Sequence, residues 1–276
     1  MEPLTHNGLV YEVTGSGPTV VVLHGGTGLD HQYLRPMIES WAAFARVVLF
    51  DHRGNGRSAA PDDWTSVTLE TMVDDIDSIR AAAGVERMFL FGHSYGGFLA
   101  LRYALSHPDR LGGLILASTA AHVKRPPNIP EDAPAAAVEA FASLFQGPMA
   151  SDEQWARSWS AAFPLYAPEL GEEAAARVTG RTIYRADAWN RGAALLGGYD
   201  VSDSLTSIEA PTLVLAGARD FLTGMEAHEE LRDGIPNAEL VVFDGGGHFP
   251  FLSDPAGFRS AVENWLARQP QHSAAP

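Results

Sequence analysis

The chain has 276 residues, 46% hydrophobic and 19% charged, which suits one large domain or a core with a sizeable insertion. Its 19 basic and 34 acidic residues leave a net charge of −15, so phosphate backbones and anionic membrane surfaces are disfavoured as partners. Cysteine is absent, which excludes disulfides, thiolate metal sites and a catalytic thiol.

Residues 1–6 carry neither the basic nor the apolar region of a signal peptide, and no apolar run approaches the roughly 18 residues that cross a bilayer. A cytoplasmic protein is expected, with no nucleic-acid or membrane partner. Apolar β-branched runs at 9–13, 19–23, 47–50, 88–91, 114–117, 212–216 and 239–243 predict strands, several buried on both faces as in a parallel sheet. Leu69, Met72, Val73, Ile76 and Ile79 recur at three and four residues, which predicts a helix capped by Thr68. Further helices are expected over 95–107, ending before Pro108, and over 255–268, with Pro255 in the first turn. Strands alternating with helices predict an α/β fold.

The alternation breaks between residues 121 and 205. Pro126, Pro127, Pro130 and Pro134 open that stretch, which then turns rich in alanine and aromatic residues. It is expected to be a helical insertion. The core then comprises 1–120 and 206–270, and 271–276 is expected to be a flexible tail.

Gly92-His93-Ser94-Tyr95-Gly96 directly follows the run at 88–91 and directly precedes a helical stretch. In so tight a strand-to-helix turn the serine backbone is strained, its hydroxyl is pushed outward, and side chains two residues either side would clash. A serine hydroxyl needs a base, and the base an orienting acid. His248 sits behind Gly245, Gly246 and Gly247, in a loop able to carry an imidazole over the sheet. Asp220 lies just past the run at 212–216, at a strand's carboxyl end. Alone, His248 reads as a surface histidine and Asp220 as a helix cap. Together the order Ser94, Asp220, His248 is that of α/β-hydrolase triads. Asp203 and Asp244 are rival acids. His24-Gly25-Gly26-Thr27-Gly28 follows the run at 19–23, so the N–H groups of Gly26 and Tyr95 are candidate oxyanion donors.

With these motifs and Asp51-His52-Arg53-Gly54-Asn55-Gly56-Arg57-Ser58, the chain resembles the α/β-hydrolases, and among them the proline iminopeptidase-like branch. The resemblance covers about 1–120 and 205–268. It implies a mostly parallel sheet flanked by helices, a helical cap inserted after the sixth core strand, a catalytic triad of Ser94, Asp220 and His248, and oxyanion donors at Gly26 and Tyr95. Thr27 stands where the branch has proline, and His52 where it has glutamine. The branch's glutamate-bearing cap motif is not recognisable. Glu169, Glu172, Glu173, Asp187 and Asp200 are the acids available to replace it.

Gly54 to Ala59 also fits a dinucleotide-loop pattern, but Pro61 interrupts the helix that should follow, so a turn is expected, with Asp51 and Arg53 bonded to neighbouring loops. No histidine spacing fits a metal site, and no cofactor is expected. Trp155, Trp159 and Phe163 repeat at four, as a helix face on the core that also borders a pocket. Gly25, Thr27, Trp159 and Phe249 are candidate substrate contacts. The expected activity is a serine hydrolase acting on a small-molecule or short-peptide ester or amide through an acyl-enzyme, as a carboxylesterase or a proline iminopeptidase-like aminopeptidase. Lactonase, C–C bond hydrolase, perhydrolase and ligand-binding receptor remain alternatives on the same scaffold.

Overall fold

Val20 and Val22 pack into the apolar layer on one side of a sheet, and Val21 and Leu23 into the layer on the other; all four are fully buried. Phe91 and Leu90, and Ile115 and Leu114, divide in the same way. Strands with two apolar faces leave none for water, so helices must cover both sides.

The computed structural model describes residues 2–270. Its strands are β1 (Leu4–His6), β2 (Leu9–Thr14), β3 (Thr19–Leu23), β4 (Arg46–Phe50), β5 (Met88–His93), β6 (Leu111–Ala117), β7 (Thr212–Gly217) and β8 (Ala238–Phe243). They form one sheet in the order β1-β2-β4-β3-β5-β6-β7-β8. β1 and β2 make an antiparallel hairpin, β2 runs antiparallel to β4, and every other pairing is parallel. β3 lies between β4 and β5, so the chain leaves it in one direction and later returns to its other edge. Such a switch point opens a crevice at the carboxyl ends of the two parallel strands.

The helices are α1 (Arg35–Trp41), α2 (Leu69–Ala82), α3 (Tyr95–Ser106), α4 (Ala135–Ser143), α5 (Asp152–Tyr166), α6 (Glu172–Thr179), α7 (Ala186–Leu196), α8 (Gly224–Gly234), α9 (Pro250–Ser253) and α10 (Pro255–Ala267). Met37, Ile38 and Trp41 of α1 join Phe258, Val262 and Trp265 of α10 in one apolar layer; α2, α3 and α8 supply the other. Thr68 caps α2 in a reciprocal pair with Thr71, and Pro255 opens α10 behind an Asp254 cap. Helices α4 to α7 all fall between β6 and β7. Among the described residues, no helix is long and apolar enough to cross a membrane.

Three features differ from the sequence expectation. β1, α1, α8 and α9 are additional elements. β6 begins at Leu111 rather than at 114, because Gly113 is a strand residue lying under the Trp265 ring, where a Cβ would approach to 2.6 Å. Arg53 pairs with Asp75 on α2 rather than with a loop; Asp51 does meet loop partners, accepting from His31 and from the Arg57 N–H. The tail expected at 271–276 lies outside the described residues.

Candidate active site

Ser94 is the single residue between β5 and α3, with φ 52° and ψ −117°. A positive φ is costly for a side chain larger than hydrogen, and it holds the hydroxyl clear of both elements. The turn is tight enough that a Cβ on Gly92 would stand 2.5 Å from the Gly96 carbonyl, and one on Gly96 2.5 Å from the Leu23 carbonyl. Both expected glycine positions are therefore required by close backbone approach.

The other parts arrive at the same crevice. His248, in the loop after β8, places Nε2 2.9 Å from Ser94 Oγ and Nδ1 2.9 Å from Asp220 Oδ2. Its own N–H donates to the Tyr166 carbonyl at 2.7 Å. Asp220, just past β7, also accepts from the N–H groups of Leu222 and Thr223 at 2.9 and 3.2 Å, and from the Thr223 hydroxyl at 2.5 Å. Burial alone would raise the Asp220 pKa. The neighbouring His248, with His228 and the Thr223 hydroxyl, outweighs it and holds the carboxyl well below the usual range. Because Asp220 is a carboxylate, Nδ1 of His248 carries the proton and Nε2 is free to accept from the serine.

Gly26 lies in the turn after β3 with φ 65°, and Tyr95 is the first residue of α3. Among the described residues, neither N–H has a protein acceptor. Asp203 and Asp244 do not contact His248, so the rival acids are not brought to the base.

A largely apolar cavity of about 500 Å³ opens over Ser94. Gly25, Gly26, Thr27, Tyr95 and His248 form its floor, and Phe141, Trp159, Tyr166 and Trp189 of α4, α5 and α7 face them. Phe249 lines it as well, so all four candidate substrate contacts border the same space. Trp155 does not: it is fully buried and donates its indole N–H to the Gly28 carbonyl at 2.8 Å, fixing α5 to the turn after β3. Thr27 is similarly tied to the Trp189 carbonyl, at 3.2 Å.

Among the described residues, no aspartate or glutamate lines the cavity. Glu173 pairs with Arg177, and Asp200 with Lys124. Glu169 sits behind the His248 loop, 3.4 Å from the Gly247 N–H. The charged side chain at the wall is instead Arg125, paired with Glu230 at 2.6 Å. Arg125 and Tyr33 of the cavity wall, and Thr223 beside Asp220, carry no expectation from the sequence. Thr223 had a local signal, three positions after the acid it bonds; the other two stand in no motif.

Residues 18–255 match the alpha/beta hydrolase fold family. The chain is similar to the proline iminopeptidase of Lactobacillus delbrueckii subsp. bulgaricus, 29% identical over 281 residues that cover 96% of this chain and 95% of that protein. It is similar to the proline iminopeptidase PfmaB of Pestalotiopsis fici, 30% identical over 257 residues, 87% of this chain and 89% of that one. Among solved structures, a thermophilic esterase from Thermogutta terrifontis with malate bound superposes at a TM-score of 0.73 and 28% identity, covering 94% of this chain and 93% of that chain. With the family match spanning most of its length, the chain belongs to the alpha/beta hydrolase fold family.

Proposed function

We propose that this chain is a serine hydrolase that cleaves a small ester or amide through an acyl-enzyme, with Ser94 as nucleophile, His248 as base and Asp220 as the orienting acid. The observation that carries the reading is the 2.9 Å approach of His248 Nε2 to Ser94 Oγ, with Asp220 closing the line at 2.9 Å. Ser94 Oγ attacks the carbonyl carbon while His248 takes its proton. The negative charge that develops on the carbonyl oxygen is stabilised by the N–H groups of Gly26 and Tyr95. His248 then protonates the leaving alcohol or amine. Water, deprotonated by the same imidazole, attacks the acyl-enzyme and releases the acid.

On this reading residues 121–205 are a cap over a core of 1–120 and 206–270, and Trp159, Phe249, Gly25 and Thr27 contact the substrate. The apolar walls suit an uncharged acyl group. The two relatives are named for an activity on N-terminal proline, whose amine is positively charged. With Arg125 at the wall and no carboxylate there among the described residues, the cavity suits a neutral ester better than a cationic peptide terminus.

The test is covalent trapping. With p-nitrophenyl ethylphosphonate esters, Ser94 Oγ forms a bond to phosphorus, p-nitrophenolate leaves, and His248 takes the serine proton. One phosphonyl group is expected on the peptide that contains Ser94. Stoichiometric labelling at another residue contradicts the assignment.

A further inference from the structure

Three hydrogen bonds outside the triad join the same three loops. The Gly25 N–H donates to Tyr33 Oη at 2.6 Å, Tyr33 Oη stands 2.8 Å from His93 Nδ1, and His93 Nε2 stands 2.9 Å from the His248 carbonyl oxygen. Tyr33, His93 and His248 are all buried. The chain begins at a group that can only donate and ends at one that can only accept, so every proton in it has one place. His93 Nε2 must carry a proton to reach the carbonyl. Burial, reinforced by the neighbouring His248, pushes the His93 pKa down to about 3, so the ring is neutral and Nδ1 is bare. Nδ1 therefore accepts from the Tyr33 hydroxyl, whose oxygen accepts in turn from Gly25.

The ends of this chain are the moving parts of the proposed reaction. Gly25 precedes Gly26 in the turn that presents an oxyanion donor. His93 precedes Ser94. The carbonyl belongs to His248 itself. The contacts leave little slack: a Cβ on Gly25 would lie 2.7 Å from His93 Nδ1, and the His93 ring packs against Phe249 and Phe251, with centroids 5.0 and 5.1 Å away. The polar atoms of Tyr33 and His93 are occupied by one another and by backbone, so neither is a proton donor or acceptor in the reaction.

We infer that Tyr33 and His93 are positioning residues, which hold the turn carrying the oxyanion donor and the loop carrying the base at a fixed separation about Ser94. The inference rests on the serine hydrolase reading. Removing the Tyr33 hydroxyl leaves the Gly25 N–H without an acceptor and His93 Nδ1 without a donor, so the link between the two loops is broken. The oxyanion donor and the imidazole then lose register in the transition state, where an error of about 1 Å is costly, while the opposite walls at Phe141, Trp159, Tyr166 and Trp189 are untouched.

The experiment measures kcat and KM on p-nitrophenyl butyrate for the wild type and for Tyr33→Phe, His93→Leu, His93→Gln and Ser94→Ala, with circular dichroism on each. Tyr33→Phe and His93→Leu are expected to lower kcat about tenfold or more and to leave KM within about twofold, the pattern of an interaction expressed in the transition state. His93→Gln should recover most of kcat, because the glutamine Nε2–H falls where the imidazole Nε2–H was and can reach the same carbonyl. A folded Tyr33→Phe with wild-type kcat, or with the loss in KM alone, overturns the inference. So does a His93→Gln as slow as His93→Leu. If His93→Leu does not fold, Tyr33→Phe and His93→Gln decide. Ser94→Ala separates the two layers: turnover surviving in it removes the hydrolase reading, whereas an inert Ser94→Ala beside a fully active Tyr33→Phe removes the positioning role alone.

Discussion

Asp220 Oδ2 accepts from both His248 Nδ1, at 2.9 Å, and the Thr223 hydroxyl, at 2.5 Å, while its Oδ1 accepts two backbone N–H groups. Four donors on one buried carboxylate fix its plane as well as its charge, and through it the tautomer of the base.

Asp220→Asn should therefore be far more damaging than the loss of one contact. The amide presents an N–H toward a nitrogen that must itself carry a proton, and the imidazole is driven to the wrong tautomer. A fall in kcat of about 10³–10⁴ with KM little changed is expected. Steady-state kinetics on a neutral ester check it, and a loss confined to KM contradicts it.

The Ser94 turn makes a second prediction. A Cβ at Gly96 would lie 2.5 Å from the Leu23 carbonyl, against backbone that cannot swing aside, whereas a Cβ at Gly147 meets nothing within 4 Å. Gly96→Ala should lose activity and melt several degrees lower, by a cost of about 1–3 kcal/mol from overpacking. Gly147→Ala should match the wild type in both. Equal behaviour of the two variants contradicts the close-approach argument.

Acid should destabilise the fold well above the ordinary carboxylate range. Burial holds His24 and His93 neutral, pushing their pKa values down to about 4 and about 3, and it lowers His52 and His228 in the same direction. Below about pH 6.5 the unfolded chain takes up protons on these groups and the folded chain does not. Their contribution is complete above that pH and is lost as the pH falls toward 4, at about 1.4 kcal/mol per pH unit for each fully neutral histidine. Asp30 opposes one of them. Burial and the nearby Asp51 raise its pKa to about 6, so the folded chain binds that proton first. The net slope remains positive, and the melting temperature at pH 5 should lie clearly below that at pH 7.5. A flat profile contradicts the neutral assignments. His93→Gln should lower the slope by about one proton.

The grouping of Ser94, Asp220 and His248 was legible because each of the three follows a strand closely. Ser94 sits in a motif bounded by glycines, Asp220 three residues past β7, and His248 five past β8. Local sequence carries both the element and the residue it positions. The β1–β2 hairpin carries a turn signal in Asn7-Gly8, which both take positive φ as a two-residue hairpin turn requires, but three-residue β1 holds too little apolar pattern to register as a strand. Gly112 and Gly113 concealed the start of β6, since glycine reads as a break and the Trp265 ring that explains Gly113 lies far along the chain. The Tyr33–His93 bond spans 60 positions and neither partner's neighbours announce it. The face at Trp155, Trp159 and Phe163 was visible, but only packing shows that Trp159 borders the cavity while Trp155 anchors α5 to Gly28.

The most direct measurement is a parallel rate assay of wild type and Ser94→Ala on p-nitrophenyl butyrate and on L-proline p-nitroanilide, with folding of the variant checked by circular dichroism. The account predicts ester cleavage by the wild type, little prolyl cleavage, and no turnover of either above background in Ser94→Ala. Prolyl cleavage exceeding ester cleavage would contradict the reading of the cavity, and activity retained in a pure, folded Ser94→Ala would contradict the nucleophile itself.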